Sequence, residues 1–145
     1  MSTAKDVLSR KKAQGVITVL PDCSVRDACR VMRDRRIGAL LVAEGGTLQG
    51  IFTERDVLNL VVAEERNPAT MNVAEVMTRK VLVVRSDRSL EEIEAIMRQE
   101  RVRHVPVVDE TGLIGMISIG DVNAFNADEN HQTVEYLTQY IQGRA

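Results

Sequence analysis

Two short stretches, Thr53-Glu54-Arg55-Asp56 and Ser118-Ile119-Gly120-Asp121, each set a hydroxyl three residues before a carboxylate. Their plain reading is a capping box, in which hydroxyl and carboxylate satisfy the first backbone N–H groups of a helix. The same groups can do a second kind of chemistry. A helix start offers unpaired N–H groups and a positive dipole end to a phosphate, and a Thr or Ser hydroxyl adds one donor. An ionised carboxylate accepts two hydrogen bonds side by side, which suits the adjacent hydroxyls of a ribose. Three features favour that second use: Gly50 and Gly115 precede the boxes at equal spacing, Arg55 is a cation that capping does not need, and Arg103-His104 form a basic pair nearby.

Other chemistries find little support in the 145 residues, of which 44% are apolar and 28% charged, the mixture of a soluble globular chain. A net charge of −2 with two Phe, two Tyr and no Trp argues against nucleic acid as a partner. The N-terminal stretch has no apolar h-region, and no apolar run approaches the roughly 20 residues that span a bilayer, so neither membrane nor export is expected and the chain reads as cytoplasmic. Cys23 and Cys29 lack metal or redox spacing and read as reduced thiols. His104 and His131 stand in different segments, with no H-E-x-x-H, no phosphate-binding G-x-x-x-x-G-K and no G-x-S-x-G elbow. The sequence thus predicts no catalytic centre, no metal and no required cofactor.

The elements that must hold the two boxes are themselves doubled. Residues 17–58 align with 82–123 without a gap at an offset of 65, with identities that include Val19/Val84, Ser24/Ser89, Met32/Met97, Arg36/Arg101, Val42/Val107, Gly50/Gly115 and Asp56/Asp121. Each unit predicts a strand (16–20, 81–85) and then a helix capped by Ser24 or Ser89. Apolar residues at i, i+3, i+6 and i+7 put Val25, Ala28, Val31 and Met32, or Leu90, Ile93, Ile96 and Met97, on one buried stripe. Two apolar runs reversing at Gly45-Gly46 and Thr111-Gly112 follow, and a second helix starts at Glu54 or Ile119. The fold class is therefore α/β (α+β), two β-α-β-β-α units with pseudo-two-fold symmetry plus terminal helices, and the small units are expected to share one core. The expected divisions are 1–66 with the N-terminal helix in the first repeat, 67–127 for linker and second repeat, and 128–145 for a C-terminal amphipathic helix. That last helix would be capped by Asp128 or Asn130, carry Val134, Leu137 and Ile141 on one stripe, and stop at Gly143.

The doubled pattern, carried by "VITVLPDCSVRDACRVMRDRRIGALLVAEGGTLQGIFTERDV" and "KVLVVRSDRSLEEIEAIMRQERVRHVPVVDETGLIGMISIGDV", resembles a tandem pair of cystathionine-β-synthase (CBS) domains, the Bateman module. The resemblance covers almost the whole chain. It implies two clefts between the repeats that take AMP, ADP, ATP, NAD or S-adenosylmethionine in different relatives. Carried over by position, one cleft would use Thr53 and Asp56 for phosphate and ribose, Arg55 near the phosphate, and Ile51, Leu82, Val102, Arg103 and His104 as walls. The other would use Ser118 and Asp121 as its polar groups against Ile17, Ile37, Gly38 and Met116. The Asp56 cleft is expected to be the stronger phosphate site, because Arg103-His104 faces Gly38-Ala39 in the repeat alignment and Arg55 faces Gly120. Leu41 stands where the second repeat has the family-typical Pro106, a change in the backbone beside the Asp121 cleft.

The stripe on the tail, together with the habit of such pairs of dimerising, points to a homodimer. The function expected is a stand-alone sensor that binds an adenine nucleotide and signals to an unknown regulated protein. The competing reading is a ligand-free dimerisation scaffold whose boxes are only caps.

Overall fold

A computed structural model describes residues 1–11 and 16–141. Its elements are α1 (Ala4–Arg10), β1 (Thr18–Val19), α2 (Val25–Arg35), β2 (Ala39–Glu44), β3 (Thr47–Thr53), α3 (Glu54–Asp56), β4 (Val84–Arg85), α4 (Leu90–Glu100), β5 (His104–Asp109), β6 (Gly112–Ser118) and α5 (Ile119–Ile141). They form two three-stranded sheets ordered β1-β2-β3 and β4-β5-β6, each with one parallel and one antiparallel pairing. The repetition extends to fine detail. The antiparallel ladders slip at Val42/Ala43 and at Val107/Val108, a bulge in the same place of each unit. Ser24 Oγ accepts from Asp27 N–H and Ser89 Oγ from Glu92 N–H, so the helix starts read from the sequence hold. The opening strands are shorter than the five-residue spans expected, because only Thr18–Val19 and Val84–Arg85 pair with the sheet. The residues just before them leave the ladder.

Beyond α3 the chain continues through a widened turn at Val57–Val62, in which Ala63 N–H reaches back to Leu58 C=O. A wide turn of this kind lets the helix shift register as it leaves the sheet. Its counterpart, α5, is regular and runs unbroken from Ile119 to Ile141. The separate tail helix capped at Asp128 or Asn130 therefore does not form, since Ser118 and Asp121 start the helix and nothing between them and Ile141 breaks it. Leu137 and Ile141 on that helix stay exposed, and Gly143 lies outside the described residues.

Instead of one shared core, the repeats have two. Val25, Ala28, Met32, Leu40, Val42, Phe52 and Val61 form the first, and Val84, Leu90, Ile93, Met97, Val105, Val107, Ile117, Val122 and Phe125 the second. Each is completed by the segment that precedes the other repeat. Ala4 and Val7 of α1 sit in the second core, tied by Ala4 N–H to Arg88 C=O, Lys5 N–H to Ser86 C=O and Leu90 N–H to Ser2 C=O. Met71, Val73, Val76 and Met77 of the linker sit in the first, tied by Val25 N–H to Met71 C=O and by reciprocal bonds between Ile51 and Thr78. The N-terminal helix thus packs with the second repeat and the linker with the first, the reverse of the assignment read from chain order. A unit of this size buries too little surface by itself, and the exchanged segments supply the rest.

This exchange explains the doubled glycine. A Cβ on Gly50 would lie 2.6 Å from Met77 Sδ and 2.8 Å from Thr78 C=O, and one on Gly115 would lie 2.9 Å from Leu8 Cδ2. Both glycines make room for the crossing segment, which replaces the ligand-related role suggested by their spacing. The obstacle at Gly50 includes backbone, whereas that at Gly115 is the end of a movable side chain. Gly50→Ala is therefore expected to cost about 1–3 kcal/mol in chemical denaturation, and Gly115→Ala clearly less. Equal losses in the two variants would refute this account of the pair.

Candidate functional site

Both capping boxes are complete. Thr53 N–H donates to Asp56 Oδ2 at 2.9 Å and Asp56 N–H to Thr53 Oγ1 at 3.3 Å; Ser118 N–H donates to Asp121 Oδ2 at 2.8 Å and Asp121 N–H to Ser118 Oγ at 3.0 Å. Glu54 N–H and Ile119 N–H are also used, by Gly38 C=O and Arg103 C=O. Few helix-end donors remain for an anion, so a phosphate here depends on side-chain cations. The carboxylates keep spare capacity, since each box engages a single oxygen.

Around the first box lies an open cleft of about 830 Å³ between the repeats. It gathers all eight residues expected of it: Ile51, Thr53, Arg55 and Asp56 from the first repeat face Leu82, Val102, Arg103 and His104 from the second. Sequence reasoning missed Lys80 and Arg101, which line it too. Lys80 was legible only as a basic residue before an expected strand. Arg101 has a stronger signal in the backbone, because it closes α4 with φ 55° and lets Val102 N–H reach Met97 C=O, a left-handed helix end that favours glycine. Arg36 closes α2 in the same way and lines the other cleft. Placing arginine in this conformation costs energy that glycine would spare, and both times the side chain stands at a cleft rim. Among the described residues Arg55, Lys80, Arg101 and Arg103 enter no ion pair, while Arg10, Arg26, Arg30, Arg33, Arg66, Arg85 and Arg88 do.

The second cleft, about 380 Å³, gathers the expected Ile17, Ile37, Gly38, Met116, Ser118 and Asp121. Leu41 lines it as well, buried yet part of neither core, where the repeat partner is Pro106. The structure corrects the expected charge asymmetry here. Arg35, Arg36 and Lys11 all border this cleft, so it is not poor in cations. Lys11 Nζ donates to Asp121 Oδ2 and to Met116 C=O, both at 2.9 Å.

His104 opens β5 opposite Ser118 and borders both clefts, so it does not belong to the Asp56 cleft alone. Burial pushes its imidazole below the ordinary value of 6.5, outweighing the nearby Asp121 and Glu54 carboxylates, while Lys11 and Arg103 push it the same way as burial. Burial thus favours its neutral form near pH 7. Cys23 and Cys29 are free thiols, half-buried, and burial raises both. Among the described residues no three His, Cys, Asp or Glu side chains converge as a metal site would require, and no helix is long and apolar enough to cross a membrane.

Two β-α-β-β-α units related by a pseudo-dyad, with a charged cleft on either side of the junction, define a paired-repeat module. The CBS-domain family model matches residues 4–63 and 73–127, and the chain belongs to the CBS-domain family. It is 33% identical to the CBS domain-containing protein YhcV of Bacillus subtilis, with 95% of this chain and 94% of that protein aligned. It is 34% identical to the mitochondrial CBS domain-containing protein CBSX3 of Arabidopsis thaliana over 98% of this chain and 73% of that one. Among solved structures, a CBS-domain protein from Burkholderia ambifaria MC40-6 superposes with a TM-score of 0.80 at 41% identity, covering 83% of this chain and 90% of that one.

The depressed imidazole makes a signed prediction. As pH falls, the unfolded chain takes up a proton near 6.5 while folded His104 resists until lower pH. Its contribution to stability is therefore whole above that value and declines as pH drops toward the folded pKa. Urea denaturation at neutral pH and at about pH 5 is expected to show a smaller acid-side loss for His104→Gln than for the unmodified chain. An identical loss would remove His104 from the account.

Proposed function

We propose that the Asp56 cleft binds an adenine nucleotide and that the module regulates a partner by reporting its occupancy. The observation that carries this reading is the convergence of Arg55, Lys80, Arg101 and Arg103, outside any ion pair among the described residues, on a cleft that also holds the Glu54 and Asp56 carboxylates, the latter with one oxygen left over. In this reading the guanidinium and ammonium groups hold phosphates and Asp56 Oδ1 accepts from the ribose. Ile51, Leu82 and Val102 offer the base an apolar wall. Four cations favour a di- or triphosphate, ADP or ATP, or the pyrophosphate of NAD, over AMP. Because Thr53–Asp56 and Val102–His104 come from different repeats, a ligand that touches both ties the repeats together. That is the differential contact that coupling to a partner requires.

Calorimetric titration of nucleotide-stripped protein with AMP, ADP, ATP and NAD tests this. Micromolar binding of one of them is expected, abolished in Asp56→Ala with the fold intact by circular dichroism. Arg101→Gly is expected to weaken binding at least tenfold while stabilising the fold by about 1 kcal/mol, because glycine relieves the left-handed backbone. Silence across the panel would favour the scaffold reading, which the completed capping boxes already accommodate.

A homodimer is proposed with it, supported by the exposure of Leu58, Leu60 and Val62 after α3 and of Leu137 and Ile141 on α5. Sedimentation equilibrium is expected to return twice the chain mass, and the mass of one chain would overturn it.

A further inference from the structure

The two boxes share one backbone design but not one electrostatic state. Asp56 has no cationic partner among the described residues, whereas Asp121 Oδ2 already accepts from Lys11 Nζ at 2.9 Å. The second Lys11 bond, to Met116 C=O, has a structural counterpart. Met116 is the repeat partner of Ile51, whose C=O accepts from Thr78 N–H where the linker crosses the first sheet. In the second sheet a lysine side chain takes that place. The bond to Met116 is therefore explained by the need to satisfy a strand carbonyl. The bond to Asp121 is not, because the first repeat does without one.

We propose that Lys11 is an internal occupant of the second cleft, neutralising the carboxylate that a ribose would otherwise engage at full charge, so that the chain binds nucleotide in the Asp56 cleft and not in the Asp121 cleft. The inference rests on reading the clefts as nucleotide sites. Its physical basis is charge. A ribose diol can still reach Asp121 Oδ1, as it would Asp56 Oδ1, but it meets a carboxylate already neutralised by the Lys11 ammonium on Oδ2, a weaker acceptor than Asp56. The carboxylate is partly shielded at 22% exposed while the Lys11 side chain is 38% exposed, so water screens the pair in part. Lys11 immediately follows α1, whose Ala4 and Val7 are anchored in the second core, so the ammonium is delivered by a fixed element. Arg35 and Arg36 also line the cleft, and without Lys11 their charge still favours an anionic ligand over a neutral nucleoside.

Stoichiometry reads this directly. Titrations with AMP, ATP and NAD are expected to give one site per chain for the unmodified protein and for Lys11→Arg, which keeps the cation. Lys11→Met, which keeps the aliphatic stem, is expected to give two sites. In the Asp56→Ala background Lys11→Met is expected to restore one site, lost again when Asp121→Ala is added, with thermal melts verifying that each variant folds. No binding to the unmodified chain but one Asp121-dependent site in Lys11→Met would overturn the reading of the Asp56 cleft and uphold the internal occupant. Two sites in the unmodified protein, or no gain in Lys11→Met, would overturn the occupant.

Discussion

The insertion of Ala4 and Val7 into the second core, and of Met71, Val73, Val76 and Met77 into the first, is the interaction on which the rest of the molecule depends. Each repeat offers a small three-stranded sheet and the helices of its own unit, too little to close a core by itself. Completing it with a segment from across the junction solves the burial problem and joins the repeats at once. The glycines at 50 and 115 exist to let those segments approach. The consequence for function is geometric. The junction between repeats is built from covalently crossed connections and cannot simply separate, so the clefts beside it are held in place.

The local grammar of this fold was legible because it is written in short-range spacing. Ser24 and Ser89 cap where the S-x-x-[DE] pattern places them, the apolar stripes of α2 and α4 are buried, and β2, β3, β5 and β6 form at the expected runs. The exchange of segments was not legible, because Val7 and Met77 would look equally apolar whichever core they joined. The length of β1 and β4 also depends on tertiary context. Leu82 and Val83 have strand-like side chains, yet they remain exposed where the chain bends away to wall the cleft. The position of α5 was misread for a related reason: Asp128 and Asn130 are competent caps, but a helix already running from Ser118 has no use for a second start.

The residues expected at each cleft were more legible than its charge. Those carried over by position from the family resemblance line the cleft named for them, while Lys80 and Arg101 were missed. Charge state and partner choice depend on approach from elsewhere in the chain. His104 belongs to the basic pair in sequence, while its burial between two clefts favours the neutral form. Lys11 and Arg36 belong to neither box, so the spacing that marks Asp56 and Asp121 passes them by.

In a doubled fold the two clefts can be compared position by position, and the equivalent residues show where they differ. Arg103 replaces Gly38, His104 replaces Ala39, and Arg55 stands against Gly120, while Arg36 and Arg101 are the same residue in the same left-handed conformation. The shared arginines therefore belong to the common backbone plan, and the asymmetry comes from the remaining positions and from what reaches each carboxylate. Asp56 has no cationic partner among the described residues and Asp121 has Lys11, so the two boxes differ by one cation. In a partly shielded cleft an ammonium beside a carboxylate lowers the charge that any further hydrogen bond to it can use. Two copies of one backbone can thus differ in electrostatics without any difference in fold, because one side chain reaching in from elsewhere in the chain is enough.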